Sequence, residues 1–223
     1  MNLPNAITIG RIAIAPALGV LPFNPSVTMR GIAFMLFVVA AVTDYYDGKL
    51  ARSRNSVTDL GRLLDPLADK LLLFATLVPM SILMAPKGNW LAPLVDHTGQ
   101  ASHFAFVTSV GEIPLPWWVV LIVASREIFM TVFRQTAARR GYVIAAIGPA
   151  KWKTALQSLW VGSAFFWFCA ATVANKQGWD SDMWHAFALF NGTVGTLAMV
   201  GAITLTLYSL WLYLRHYVRV FAH

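Results

Sequence analysis

The sequence predicts an all-α, polytopic integral membrane protein of six transmembrane helices with both termini in the cytoplasm. Three observations lead there. Of its 223 residues, 57% are hydrophobic and only 12% charged, and the mean hydropathy is +0.60, a balance foreign to soluble domains. Six segments approach the roughly 20 apolar residues that a helix needs to cross a bilayer core: 6–22, 31–47, 64–84, 117–138, 154–174 and 185–213. Cationic side chains also concentrate in alternate connections, which fixes an orientation.

The first segment is short and contains Arg11 and Pro16, so it reads either as a span or as an interfacial helix. No polar, small-residue cleavage region follows it, which disfavours a removed signal peptide. The second ends in an acidic stretch. The connection 48–63 then carries Lys49, Arg52, Arg54 and Arg62. Pro66 fits the start of the third helix. Residues 85–116 form the main irregular insertion, punctuated by Pro86, Gly88, Asn89, Pro93, Gly99, Gly111, Pro114 and Pro116. Trp117 and Trp118 mark re-entry at the interface.

The fourth segment holds Arg126, Glu127 and Arg134, and the connection 139–153 holds Arg139, Arg140, Lys151 and Lys153. A second connector, 175–184, contains Gly178. The last segment is long, so its C-terminal turns are expected to emerge at the interface, near Arg215 and Arg219. Gly192, Gly195 and Gly201 within it read as sites of close helix contact. No repeat or low-complexity tract divides the chain, which is expected to be one membrane domain over 1–223.

The net charge of +7 therefore reads as membrane orientation plus an anionic substrate. No aromatic-and-basic nucleic-acid module is visible. Cys169 is the only cysteine, so no disulfide within the chain is possible. His97, His103, His185, His216 and His223 show no metal-binding spacing.

Chemistry concentrates in Asp44-Tyr45-Tyr46-Asp47-Gly48 and, further on, Gly61-Arg62-Leu63-Leu64-Asp65-Pro66-Leu67-Ala68-Asp69. Asp44 and Asp47 are three apart and Asp65 and Asp69 four apart, so each pair shares a helix face. Unpaired carboxylates are costly near a bilayer, and a cluster of them calls for cations. All-oxygen donors suit hard ions such as Mg²⁺ or Mn²⁺, which bind phosphate oxygens. The residues thus point to metal-assisted phosphate chemistry at a membrane surface. A divalent-cation transporter is the competing class, but its acidic residues should line a path open to both sides.

The pattern D-x2-D-G-x2-A-R-x8-G-x3-D-x3-D, running from Asp44 to Asp69, resembles that of the CDP-alcohol phosphotransferases at every fixed position. The resemblance implies two divalent ions, Mg²⁺ or Mn²⁺, held by Asp44, Asp47 and Asp65. It implies that Asp69 is the general base that deprotonates an attacking hydroxyl, with a possible metal contact besides. Gly48 and Gly61 fit positions where backbone approaches a nucleotide, Ala51 leaves room beside them, and Arg52 pairs with phosphate or braces a carboxylate. The implied donor is CDP-diacylglycerol, the leaving group CMP and the assembly a homodimer among membrane lipids. The implied location is a bacterial inner membrane, with the site facing the cytoplasm.

The acceptor must be read elsewhere. Lys151-Trp152-Lys153-Thr154 opens the fifth segment, and Gln157 follows one turn later; a cationic helix start favours a bound phosphate. Arg126 and Arg134, eight apart, are read as lying on nearly one helix face, with Arg126 meeting Glu127 or an anion. The competing readings are a structural ion pair for Arg126 and orientation anchors for Lys151 and Lys153.

These residues, with Asn2-Leu3-Pro4-Asn5-Ala6-Ile7-Thr8 and Ser125-Arg126-Glu127, resemble the family members that use glycerol 3-phosphate as acceptor. That resemblance covers about 1–160. It implies Asn5 and Thr8 near the cytidine diphosphate and Arg11 near phosphate. Arg126, Arg134, Lys151, Lys153 and Thr154 would join Arg11 in holding the acceptor's phosphate. Helix capping by Asn5 or Thr8 and interfacial anchoring by Arg11 stay open. Inositol phosphate, serine or a phosphatidylglycerol lipid are the alternative acceptors.

Overall fold

The computed structural model describes residues 3–54, 59–86, 104–140 and 149–221. Six long helices dominate these residues: α1 (Leu3–Val20), α2 (Val27–Arg54), α3 (Asp59–Leu83), α4 (Trp117–Arg139), α5 (Pro149–Gln177) and α6 (Asp182–Phe221). A 3₁₀ turn, Leu21–Phe23, links α1 to α2. Each helix overlaps one of the six apolar segments. Five of them, all but α4, are long and apolar enough to cross a membrane. The difference in α4 is its charge: Arg126, Glu127 and Arg134 interrupt its apolar run.

α1 lies along α3 and α2, while α5 packs against α6 and α2. The core is aromatic at its centre. Trp160, Phe165 and Phe168 of α5 are buried with Leu77 and Met80 of α3 and Val123 of α4. The outer surface is apolar too, with Met35, Val39, Leu121, Phe190 and Leu197 exposed. A bundle apolar inside and out, with its backbone bonds closed within helices, suits a hydrocarbon solvent.

Two expectations need correction. Pro66 does not start the third helix; α3 begins at Asp59 and contains Pro66 in its interior. A proline there removes one helix hydrogen bond, and it does so beside Asp65. The described end of the insertion, 104–116, also holds regular structure that its proline and glycine content did not suggest. Within it, β1 (Phe106–Thr108) and β2 (Gly111–Ile113) pair antiparallel, with Phe106 opposite Ile113. Strands of three residues are too short for periodicity to reveal.

This hairpin is tied to α3, because the Phe104 N–H donates to the Leu83 carbonyl at 3.2 Å and the Leu115 N–H to the Met84 carbonyl at 2.8 Å. It also explains two glycines of α6. A Cβ on Gly192 would lie 1.9 Å from the Val107 carbonyl oxygen, and one on Gly195 2.4 Å from Cζ of Phe106. These glycines admit a strand rather than a helix; Gly201 alone of the three meets a helix, at Leu156 of α5.

At this same end, Arg30 is buried. Its Nε donates to the Pro22 carbonyl at 3.0 Å, its Nη1 to the Thr172 hydroxyl, and its guanidinium sits 4.5 Å from the Phe104 ring centre.

Candidate active site

At the bundle's other end, each of α2 to α5 contributes a row of residues with helical period, carrying at least one polar or charged side chain. α2 presents Phe37, Ala40, Ala41 and Asp44; α3 presents Asp65, Asp69, Leu72, Leu73 and Thr76; α4 presents Glu127, Thr131, Arg134 and Gln135; and α5 presents Lys153, Thr154, Gln157, Ser158 and Val161. Steps of three and four residues keep such side chains on one face. The rows converge with Arg11 of α1 on one cavity of about 540 Å³.

One wall of the cavity is acidic. Arg11 Nη1 donates to Oδ1 of Asp44 and, at 3.2 Å, to Oδ1 of Asp69. The Arg11 side chain is 4% exposed, whereas those of Asp44 and Asp69 are 50% and 63% exposed. The carboxylates therefore face the cavity and the arginine sits behind them. Thr8 is buried and donates to Asp65 Oδ1 at 2.8 Å. Asn5, also buried, lies one turn before Thr8.

A second part of the cavity lining, on α4 and α5, is cationic. Buried Lys153 donates to Glu127 Oε1, which also accepts from Arg126 Nη1 at 2.9 Å. Arg126 Nη2 donates to the Ser209 hydroxyl at 2.7 Å, and Arg134 Nη2 to the Tyr213 hydroxyl at 2.9 Å. Glu127, Lys153 and Arg134 line the cavity with an excess of one positive charge, and Arg126 behind them brings the group to two. A phosphate dianion matches that excess.

The predicted residues fare differently. Asp44, Asp65, Asp69, Arg11, Arg134, Lys153 and Thr154 meet at the cavity. Arg126 does not line it: it is turned to Glu127 and to Ser209 of α6. At about 100° per residue, positions eight apart are rotated by roughly 80°, whereas positions seven apart nearly eclipse. Glu127, not Arg126, therefore shares the face of Arg134. Asp47, Gly48, Ala51 and Arg52 lie on α2 and Gly61 on α3, but their side-chain positions fall outside the described residues, as does the side chain of Lys151. Thr131, Gln135 and Ser158 were not singled out, and Glu127 was named only as a partner of Arg126. Their signal was present as polar side chains at helical spacing inside apolar segments.

Among the described residues, no three His, Cys, Asp or Glu side chains form a ready metal cluster. The donor chemistry nevertheless fits a divalent ion. Asp44 and Asp69 share one guanidinium nitrogen, so their oxygens are close enough for a single positive centre to bridge, and both are hard donors. Asp65 lies one turn from Asp69 on the same face of α3.

Comparison with known proteins gives a consistent result. The family model described as CDP-alcohol phosphatidyltransferase matches residues 1–92 and 85–221. A Bacillus subtilis protein named CDP-diacylglycerol–glycerol-3-phosphate 3-phosphatidyltransferase is 34% identical over 174 residues, which cover 73% of this chain and 75% of that protein. A Mycobacterium tuberculosis protein named "Probable phosphatidylglycerophosphate synthase" is 30% identical over 164 residues, covering 72% of this chain. The match spans 64% of that relative's length. A chloroplastic/mitochondrial enzyme of Arabidopsis thaliana, with the same activity in its name as the Bacillus protein, is 33% identical over 164 residues, or 70% of this chain and 48% of its own.

Proposed function

Since the chain belongs to the CDP-alcohol phosphatidyltransferase family, we propose that it transfers the phosphatidyl group of CDP-diacylglycerol to glycerol 3-phosphate, giving phosphatidylglycerophosphate and CMP. The observation that carries this reading is one cavity lined both by the acidic group of Asp44, Asp65 and Asp69 and by the cations Arg134 and Lys153. A pyrophosphate donor that travels with divalent ions suits the first group. A phosphorylated acceptor suits the second, and a neutral alcohol would leave that charge unanswered. The names of the Bacillus and Arabidopsis relatives support the same acceptor.

In this reading Asp44, Asp47, Asp65 and Asp69 hold two Mg²⁺ or Mn²⁺ ions. Such ions, when bound, neutralise the pyrophosphate and stabilise the leaving oxygen. Asn5, Thr8, Gly48, Ala51, Arg52 and Gly61 bind the nucleotide part of the donor. Arg134, Lys153, Thr154 and Lys151 orient the acceptor phosphate, with Arg126 acting behind them and Arg11 beside phosphate. Asp69 takes the proton from the acceptor hydroxyl. That oxygen bonds to the phosphorus next to the lipid as the bond from this phosphorus to the CMP oxygen breaks. Alignment and charge neutralisation supply the rate, and no covalent enzyme intermediate is needed.

The proposed setting is a bacterial inner membrane, crossed by all six helices of a single domain, with both termini and the cavity mouth in the cytoplasm and the protein paired as a homodimer. The apolar outer surface and the cationic connections support it. The test is CMP release by purified protein from CDP-diacylglycerol with a panel of acceptors: glycerol 3-phosphate, inositol phosphate, serine and glycerol. Preference for glycerol 3-phosphate is expected. Preference for inositol phosphate would reassign the acceptor, and no CMP release with any acceptor would overturn the reading.

A further inference from the structure

α6 carries no residue of the acidic motif and, among the described residues, lines no part of the cavity. It nonetheless presents two hydroxyls, one turn apart, to the arginines of α4. Ser209 and Tyr213 are fully buried. The Tyr213 hydroxyl accepts from Arg134 Nη2 at 2.9 Å, and the Arg134 guanidinium lies 5.3 Å from the Tyr213 ring centre. The Ser209 hydroxyl accepts from Arg126 Nη2 at 2.7 Å and donates to the Thr206 carbonyl at 3.0 Å.

The choice of partner has a consequence. A carboxylate would hold an arginine more strongly, but it would also cancel the charge. A phenol oxygen and an aromatic face hold the guanidinium through neutral atoms and leave its charge in place. Arg134 lines the cavity, and five N–H donors belong to a guanidinium, so a bond to Tyr213 leaves others for an anion. Fixing a long side chain in advance also removes an entropy loss that the ligand would otherwise bear. Ser209 acts one step further back: it fixes Arg126, which with Lys153 shares Glu127.

We propose that Tyr213, assisted by Ser209, is a positioning residue that pre-sets Arg134 and the Arg126–Glu127–Lys153 chain for the phosphate of the acceptor, so that acceptor affinity is governed from α6. This rests on the reading that the acceptor is phosphorylated.

The experiment compares KM for the acceptor with KM for CDP-diacylglycerol in the full-length parent, Tyr213→Phe, Ser209→Ala, Arg134→Ala and the Arg134→Ala/Tyr213→Phe double variant. Tyr213→Phe keeps the ring and removes one hydrogen bond to a charged group, so acceptor KM should rise roughly three- to tenfold with donor KM unchanged. Ser209→Ala should move the same constant in the same direction. In the Arg134→Ala background, Tyr213→Phe should add nothing. An acceptor KM within twofold of the parent in Tyr213→Phe, equal rises in both KM values, or additive effects in the double variant would each overturn the inference while leaving the proposed function intact. A parent enzyme that turns over glycerol or serine, but neither phosphorylated acceptor, would overturn both.

Discussion

Replacing Glu127 with Gln tests the electrostatics of the cationic wall directly. The substitution keeps the side chain's shape and one carbonyl oxygen but removes the charge that Arg126 and Lys153 share. Both cations are buried, at 7% and 6% exposure. Removing one partner from a buried ion pair costs about 3–5 kcal/mol, chiefly because the remaining charge loses its counter-ion. Glu127 is 25% exposed on its side chain, so cavity solvent screens part of that loss and about 2–4 kcal/mol is the reasoned figure. Native stabilities run to about 5–15 kcal/mol, so the variant should still fold.

Thermal unfolding in detergent should therefore show a Tm lowered by roughly 5–15 °C. Glycerol 3-phosphate should restore more of the Tm in the variant than it adds to the parent. Its dianion supplies the negative charge that Gln lacks, and a ligand that binds only the folded state stabilises it by mass action. The assay is paired melting curves with and without acceptor. A variant that melts with the parent, or one that gains no more than the parent from the acceptor, would refute the reasoning.

Asp44→Asn or Asp65→Asn should lower CMP release on the order of 10²–10³-fold and make full turnover demand more divalent metal, as read by metal titration of folded variants. Asp69→Asn should lose roughly 10²–10⁴-fold in turnover while keeping donor affinity, which separate rate and CDP-diacylglycerol binding measurements would check. Lys153→Ala should raise acceptor KM roughly ten- to hundredfold with little change in donor KM, as measured by acceptor titration. Gly192→Ala should destabilise the protein by about 1–3 kcal/mol or more, read by thermal unfolding, because its methyl group would fall on the Val107 carbonyl oxygen.

Much of the site was legible because its residues break an otherwise apolar pattern. Asp44, Asp65 and Asp69 stand out in hydrophobic helices, and their spacing already assigned them to shared faces. Lys153 and Arg134 were visible for the same reason. What stayed hidden depended on rotation and on distant partners. Arg126 and Glu127 are sequence neighbours, yet one turns toward α6 and the other toward the cavity; helical spacing puts Glu127 on the face of Arg134, but that the other face meets Ser209 of α6 is a matter of helix placement. Tyr213 and Ser209 lie in a segment that reads as plain hydrophobic span, because a hydroxyl that serves a buried arginine has no sequence signature of its own. The hairpin was missed because its strands are shorter than any periodicity window. The glycines it requires, Gly192 and Gly195, looked like those that bring helices together.

The aromatic and cationic closure of the hairpin end bears on permeability. A wet, charged cavity set into a membrane protein is a potential leak for protons and metal ions. Arg30 lies fourteen residues before Asp44 on α2, about 21 Å away along the helix axis. Between them the bundle is filled by Trp160, Phe165 and Phe168, and Phe104 and Phe106 close it above. A cation leaving the acidic wall in that direction would be stripped of water by aromatic rings and would then meet a fixed positive charge whose described partners are neutral. Among the described residues, the far end of the cavity is thus packed with aromatic rings and backed by a fixed positive charge. A chamber backed in this way can concentrate charged substrates without short-circuiting the gradients that the membrane maintains.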